Sequence, residues 1–220
     1  MSGGKMDIEI LYADKDLAVC IKPVGTDSEK GMPALLAEQM SKREVYPVHR
    51  LDMAVGGVMV YALNKKAAAG LSNQIAGQQM KKEYLAIVQG RPEEKSGTLH
   101  DLLFRDKAKN KSYVVKKKRA GVKDAELEYE CVESFKSRSL IHITLHTGRS
   151  HQIRVQFSSR GMPLVGDVKY GSTYKDCPIS LCSHALSFKH PESGEPMHFE
   201  HLPEAEYYWK EFEYIKGENI

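Results

Sequence analysis

Two short segments concentrate the side chains able to do chemistry. Val48-His49-Arg50-Leu51-Asp52-Met53-Ala54-Val55-Gly56-Gly57 places a histidine, an arginine and a carboxylate ahead of a glycine pair and an apolar run. Thr147-Gly148-Arg149-Ser150-His151-Gln152-Ile153-Arg154 gathers two arginines, a histidine and a glutamine where a strand pattern gives way to a helix pattern. A carboxylate in a loop before a strand, facing an arginine from elsewhere in the chain, can serve as a nucleophile or an acid-base group held ionised by its partner. The same pair can equally be a structural ion pair stitching two loops. Spacing alone leaves both readings open.

Several other chemistries fail on their motifs. The chain has no G-x-x-x-x-G-K-[ST], G-x-G-x-x-G, G-x-S-x-G or H-E-x-x-H pattern, so phosphate-loop hydrolysis and α/β-hydrolase chemistry lose support. His49-Arg50-Leu51-Asp52 differs from the kinase catalytic loop, whose Asp follows H-R directly, and no D-F-G lies downstream. His198-Phe199-Glu200 has the H-x-E half of a zinc deaminase, but Cys177 and Cys182 precede it and are too widely spaced for the P-C-x-x-C half. The cysteines read as structural, and neither a metal nor another cofactor is expected.

The elements that must position the two segments can be read from periodicity. Ile8 to Tyr12 and Leu17 to Lys22 read as short strands, and Pro33 to Arg43 as a helix with proline in its first turn. Val58 to Leu63 reads as a buried strand, followed by Asn64 as N-cap of a helix running to about Gln79. Glu83 to Gln89 is another strand. Ala125 to Cys131 and Leu140 to His146 alternate apolar with polar residues and should pair as antiparallel neighbours. Arg149 to Arg160 suits a helix stopped by Gly161 and Pro163, and Pro203 to about Tyr214 a terminal amphipathic helix. Strands and helices mix without a strand-helix-strand rhythm, which predicts an α+β fold in one domain over residues 1–220.

The 220 residues carry 32 Lys plus Arg against 29 Asp plus Glu, a net +3 that hides a strong asymmetry. Arg105 to Lys123 holds nine basic residues and one acid, a local +8, whereas His190 to the C-terminus sums to −6. The basic stretch is either a solvated hairpin or an arm contacting nucleic-acid phosphates, with Tyr113 inside it able to stack on a base or to pack inward. Four scattered cysteines, no signal-peptide core and no apolar run of membrane length point to a cytoplasmic protein without a membrane partner.

The chemistry-bearing segments resemble those of the RluA-type pseudouridine synthases. The family's H-R-L-D motif is His49 to Asp52, its K-x-Y motif Lys82-Glu83-Tyr84, and its T-G-R-x-H-Q-I-R motif Thr147 to Arg154. Gly161-Met162-Pro163-Leu164-Val165-Gly166-Asp167 with Tyr170-Gly171, and His184-Ala185 with Phe188 through Pro191, resemble its later motifs. The match runs from about Leu11 to Pro203. After Asp52 the family usually has Thr-Ser-Gly two residues on, where Val55-Gly56-Gly57 stands here without the two hydroxyls.

That resemblance implies a mixed, mainly antiparallel sheet flanked by helices with a catalytic cleft across it; many relatives carry a small N-terminal S4-type RNA-binding domain, which is not expected here because the match begins almost at the first residues. It implies isomerisation of uridine to pseudouridine in ribosomal or transfer RNA, with no cofactor, by an enzyme expected to be a monomer. Asp52 matches the catalytic carboxylate, Arg154 its arginine partner and Tyr84 the ring against the target uracil. His49, Arg50, Arg149, His151 and Gln152 match supporting or substrate-contacting positions, and Lys116, Lys117 and Lys118 are the phosphate-contacting candidates of the basic stretch. The alternative is a non-catalytic RNA-binding protein that retains the fold.

Overall fold

The computed structural model describes residues 7–217. Strands β1 (Ile10–Ala13) and β2 (Leu17–Lys22) precede helix α1 (Gly31–Gln39), then come β3 (Tyr46–Pro47), β4 (Gly56–Ala62) and helix α2 (Lys65–Ala76). Strands β5 (Lys81–Gln89), β6 (Ser96–Asp106), β7 (Lys111–Val115), β8 (Val122–Phe135) and β9 (Arg138–Leu145) follow without interruption by a helix. Helix α3 (Gln152–Ser158), strands β10 (Leu181–Lys189) and β11 (Pro196–Glu200) and the short helix α4 (Glu213–Lys216) complete the chain. The described residues divide into two compact units, one running up to Lys81 and including Ser183–His201, the other made of Lys82–Cys182 and the segment from Leu202 on.

In the first unit the strand order is β1-β2-β4-β10, with β3 on β4 and β11 on β10. β2 and β4 run antiparallel from Leu17 opposite Ala62 to Lys22 opposite Gly57. Their shared apolar face (Leu17, Val19, Val58, Val60, Ala62), continued by Leu186 and Phe188 of β10, closes under Ala67 and Leu71 of α2. Helix α2 starts where the sequence predicts, because the Asn64 side chain accepts the Ala67 N–H at 2.9 Å. Gly57 has a φ of +113°, and a Cβ there would lie 2.2 Å from the Ser183 carbonyl oxygen, so the close approach of β4 to β10 admits only glycine. This explains the second glycine of the Val55-Gly56-Gly57 run.

In the second unit the order is β5-β9-β8-β6-β7 and every neighbouring pair is antiparallel. β8 and β9 pair as expected, with Leu127 opposite Leu145, Tyr129 opposite Ile143 and Cys131 opposite Ile141. Phe157 of α3 meets Tyr129 edge-on at 5.8 Å on one face of this sheet. On the other face Leu85, Ile87 and Leu140 pack against Trp209, Phe212 and Ile215. The C-terminal segment is pinned there by Arg138, 6% exposed, whose Nε donates to Glu211 at 2.9 Å while its guanidinium lies 4.7 Å from the Tyr208 ring. The antiparallel pairing and the unalternated strands and helices make the fold α+β, as predicted.

Three expectations are corrected. Residues 203–214 form no continuous amphipathic helix: a 3-10 turn at Trp209–Glu211 ends on an extended Phe212, and only Glu213–Lys216 is α-helical. The apolar spacing of Trp209, Phe212 and Ile215 is real, but it is met by successive short turns on a core surface. α3 begins at Gln152 rather than Arg149, because His151 adopts a left-handed φ of 54° and ends the helical run. α1 stops at Gln39, short of Arg43, where Ser41 turns to a φ of 53°.

Candidate active site

Asp52 lies in the first unit on the loop between β3 and β4, and the main chain on both sides of it is tied down. Ahead of it, Ser28 Oγ donates to the Leu51 carbonyl at 2.9 Å and accepts the Leu51 N–H at 3.2 Å. Behind it, the Met53 carbonyl accepts the Gly25 N–H at 2.8 Å, and the Asp52 carbonyl accepts the Val55 N–H at 2.9 Å. His49 Nε2 accepts the Val60 N–H of β4 at 3.2 Å, fixing where the loop leaves the sheet. Arg50 points outward, half-exposed, and pairs with Glu29 at 3.1 Å. A carboxylate carried between two clamped peptide units is held in place before any substrate arrives.

The most unusual support of this loop is Lys22, which has no exposed surface. Its Nζ donates to the carbonyls of Thr26 at 2.8 Å, Pro23 at 2.9 Å and Met53 at 3.4 Å, filling all three donors of an ammonium. Burial pulls the ammonium down to about 8, against the opposing pull of Asp27 and Asp52. Free lysine holds its proton to 10.5, so between about 8 and 10.5 the unfolded chain binds the extra proton, and the stability cost of this buried charge is relieved as pH rises through that window. Activity that needs the charged clamp runs the other way. An alkaline fall in kcat/KM is expected near pH 8, and Lys22→Arg should move it upward because a guanidinium stays protonated. An identical alkaline limb in both proteins would remove Lys22 from the site.

The second segment is built within the other unit. Gln152, 3% exposed, accepts the Thr147 hydroxyl at 2.8 Å and the Arg149 N–H at 3.0 Å, and donates to the Glu126 carbonyl at 3.0 Å. Its amide shapes the loop from inside. Arg149 Nε donates to the Asp124 carbonyl at 2.8 Å. Arg154, 5% exposed on α3, is gripped by Asp167 in a two-pronged pair, Nε to Oδ2 at 2.7 Å and Nη2 to Oδ1 at 2.9 Å. Tyr84, 6% exposed, sits on β5 opposite Ile143. Lys82, two residues earlier, has its ammonium lowered by burial and by Arg149.

Lys116, Lys117 and Lys118 are exposed, and they follow β7 in the connection to β8 rather than occupying a hairpin tip. The tip of the β6–β7 hairpin is 107–110, with Asn110 at a φ of 46°. The basic stretch is therefore two turns bracketing one strand. Lys118 pairs with Asp124 at 2.9 Å, and Tyr113 is 37% exposed on β7 rather than packed inward.

Arg154, Arg149, His151 and Gln152 thus share one loop-helix junction, while His49, Arg50 and Asp52 share one loop. Sequence reasoning passed over Lys22, Lys82 and Asp167. Lys82 and Asp167 stand inside motifs of the chain, but nothing in the sequence marks Lys22 as a buried cation.

Burial pushes the Cys20 and Cys182 thiols up to about 12, which disfavours thiolate chemistry at those two positions. Asp14, Asp16 and His190 form the one His/Cys/Asp/Glu cluster of metal-binding dimensions among the described residues. Hydrogen bonds occupy it: His190 Nδ1 accepts the Glu192 and Ser193 N–H groups, leaving Nε2 to donate to Asp14 at 2.8 Å, and Asp14 also accepts the Asp16 and Leu17 N–H groups.

Residues 16–159 match the family model described as RNA pseudouridylate synthase. An uncharacterized RNA pseudouridine synthase of Bacillus subtilis (strain 168) is 33% identical over 216 residues, covering 90% of this chain and 70% of its own. The dual-specificity RNA pseudouridine synthase RluA of Haemophilus influenzae is 35% identical over 205 residues, covering 87% of this chain and 91% of its own. Among solved structures, human RNA Pseudouridylate Synthase Domain Containing 1 superposes with a TM-score of 0.79 at 22% identity, over 94% of this chain and 88% of that one, a likeness of fold.

Proposed function

The chain belongs to the RNA pseudouridylate synthase family, and from that premise we propose that it isomerises specific uridines of ribosomal or transfer RNA with Asp52 as the reacting carboxylate. As a pseudouridine synthase it is an isomerase acting on RNA. The observation that carries the Asp52 assignment is the clamping of its two flanking residues by Ser28, Gly25 and Lys22.

The reaction breaks the bond between uracil N1 and the ribose, turns the base and joins its C5 to the same sugar carbon. The C5 proton leaves, N1 gains one, and no external reactant enters. Asp52 either attacks the sugar carbon or removes the proton on its 2′ side, and both routes need the ionised carboxylate. A uridine inside folded RNA must first be extruded at a cost of about a few kcal/mol, least for loop nucleotides. Tyr84 then offers its ring to the uracil, and Arg154, immobilised by Asp167, supplies a fixed cation.

His49, Gln152 and Arg149 act through the loops they hold, Arg50 and His151 border them, and the lysines at 116–118 hold phosphate. The free cysteines Cys20, Cys131, Cys177 and Cys182 support a reducing, cytoplasmic setting, and a monomer suits an enzyme that envelops an RNA loop.

The direct test is tritium release from bulk RNA labelled at uridine C5, with free uridine as the second substrate. Release from RNA and none from the nucleoside is the expected result. RNA bound without any release would instead make the chain a non-catalytic RNA-binding protein.

A further inference from the structure

Tyr170 closes the 3-10 turn Val168–Tyr170 that follows Asp167, and it is 5% exposed. Its hydroxyl accepts the main-chain N–H of Ser112 at 2.7 Å and lies 2.9 Å from His151 Nδ1. Its ring has the Arg154 guanidinium carbon 5.1 Å from its centroid and Lys111 Nζ at the same 5.1 Å. Two cations on one buried ring is a specific arrangement, since each is attracted by the electron-rich faces of the ring. Ser158 Oγ donates to the main-chain carbonyl of Tyr170 at 2.6 Å, tying the backbone of the turn to α3.

Ser112 and Lys111 belong to β7, the last strand in the order of the second unit's sheet. Such an edge strand has one row of main-chain groups without a neighbour. Here one group of that row, the Ser112 N–H, is taken by the Tyr170 hydroxyl, and two side chains tie the strand down further. Besides the Ser112 N–H on Tyr170, Ser112 Oγ donates to the Ser150 carbonyl at 2.6 Å and Lys111 Nζ to the Lys169 carbonyl at 2.7 Å. The far ends of these bonds are the loop that opens α3 and the turn after Asp167, the two elements that fix Arg154. His151 keeps its left-handed φ of 54° within the same cluster, a strain of about 1 kcal/mol that persists only where surroundings over-determine it.

We propose that Tyr170 is a positioning residue that locks the basic strand β7 to the Arg154–Asp167 pair, so that RNA gripped by the basic turns is presented to the arginine at a fixed distance. This rests on the reading of Arg154 and the basic stretch given above. Hydroxyl and ring have separate duties: the hydroxyl registers β7, and the ring backs the guanidinium.

The two duties are separable by substitution. Tyr170→Phe keeps the ring and leaves the buried Ser112 N–H without its acceptor, and should raise KM for RNA roughly tenfold with kcat within about threefold of the parent. Tyr170→Leu removes the ring as well and should lower kcat by about a further tenfold or more. A purely structural tyrosine would lower Tm while leaving that split absent. Steady-state kinetics on labelled RNA at fixed salt, with Tm alongside, reads both. An unchanged KM in Tyr170→Phe overturns the proposal even if Tyr170→Leu fails to fold, and so does a Tyr170→Leu protein that loses only Tm. Arg154→Met is the control on the parent reading: full turnover in that variant removes the arginine, while the KM effect of Tyr170→Phe still reports on β7.

Discussion

Asp52→Asn is expected to abolish pseudouridine formation, with a loss of roughly four orders of magnitude or more, the scale seen when a reacting side chain is removed from an otherwise intact site. The amide matches the carboxylate in shape but can neither attack the sugar nor take a proton from it. The surroundings argue that the change is local. The main chain on either side of Asp52 is held by groups of Ser28, Gly25 and Lys22 that do not involve its side chain. The Asp52→Asn protein should therefore stay folded, with a small drop in Tm from the weaker support of the Lys22 ammonium, and bind RNA within about threefold. Removing the negative charge near the buried Lys22 ammonium also withdraws one of the two influences that keep it protonated, so any residual activity should show an alkaline limb shifted to lower pH. Tritium release, filter binding and thermal melting on one preparation decide the matter. Turnover above about one per cent of the parent would mean that another group carries the reaction.

The clamps around Asp52 also show what the sequence does and does not reveal. Clean alternation in β8 and β9 exposed both strands and their pairing, and Asn64 announced α2 through a local hydrogen bond. β6 is not marked by its sequence because Leu102-Leu103-Phe104 breaks the apolar alternation. The terminal segment misled because an apolar spacing of three is shared by a helix and by successive short turns. Motifs located Asp52, Tyr84 and Arg154 as candidates, since short segments carry them whole. Their supports were invisible for a different reason. Ser28 acts on the carbonyl of Leu51 far along the chain, and nothing in a lysine's neighbours says that its ammonium will fold back on the carbonyls of Pro23 and Thr26 and meet that of the distant Met53. Gly57 is intermediate: the sequence shows a glycine, and only the Ser183 carbonyl shows why.

The second large effect concerns affinity rather than chemistry. Replacing Lys116, Lys117 and Lys118 together by glutamine should weaken RNA binding about ten- to a hundredfold near 0.1 M salt and lower the slope of log affinity against log salt by about two, since each single-strand phosphate neutralised contributes roughly 0.7. The three lysines are exposed on the turn that leaves β7, whose position is fixed by the bonds of Ser112 and Lys111, so their charges are presented from a rigid edge rather than a floppy arm. They are not equivalent. Lys118 already has Asp124 at 2.9 Å and must exchange that partner for a phosphate, whereas no such pair is formed by Lys116 or Lys117 among the described residues. The single Lys118→Gln change should therefore cost the least affinity and the smallest part of the slope. The rate at saturating RNA should fall far less than affinity, because these side chains hold the backbone and take no part in bond breaking. The net +3 of the whole chain is no guide here, because a local +8 is cancelled by an acidic C-terminal stretch. Titration of a labelled RNA at four salt concentrations measures both quantities, and an unchanged slope would assign the stretch to solvation alone.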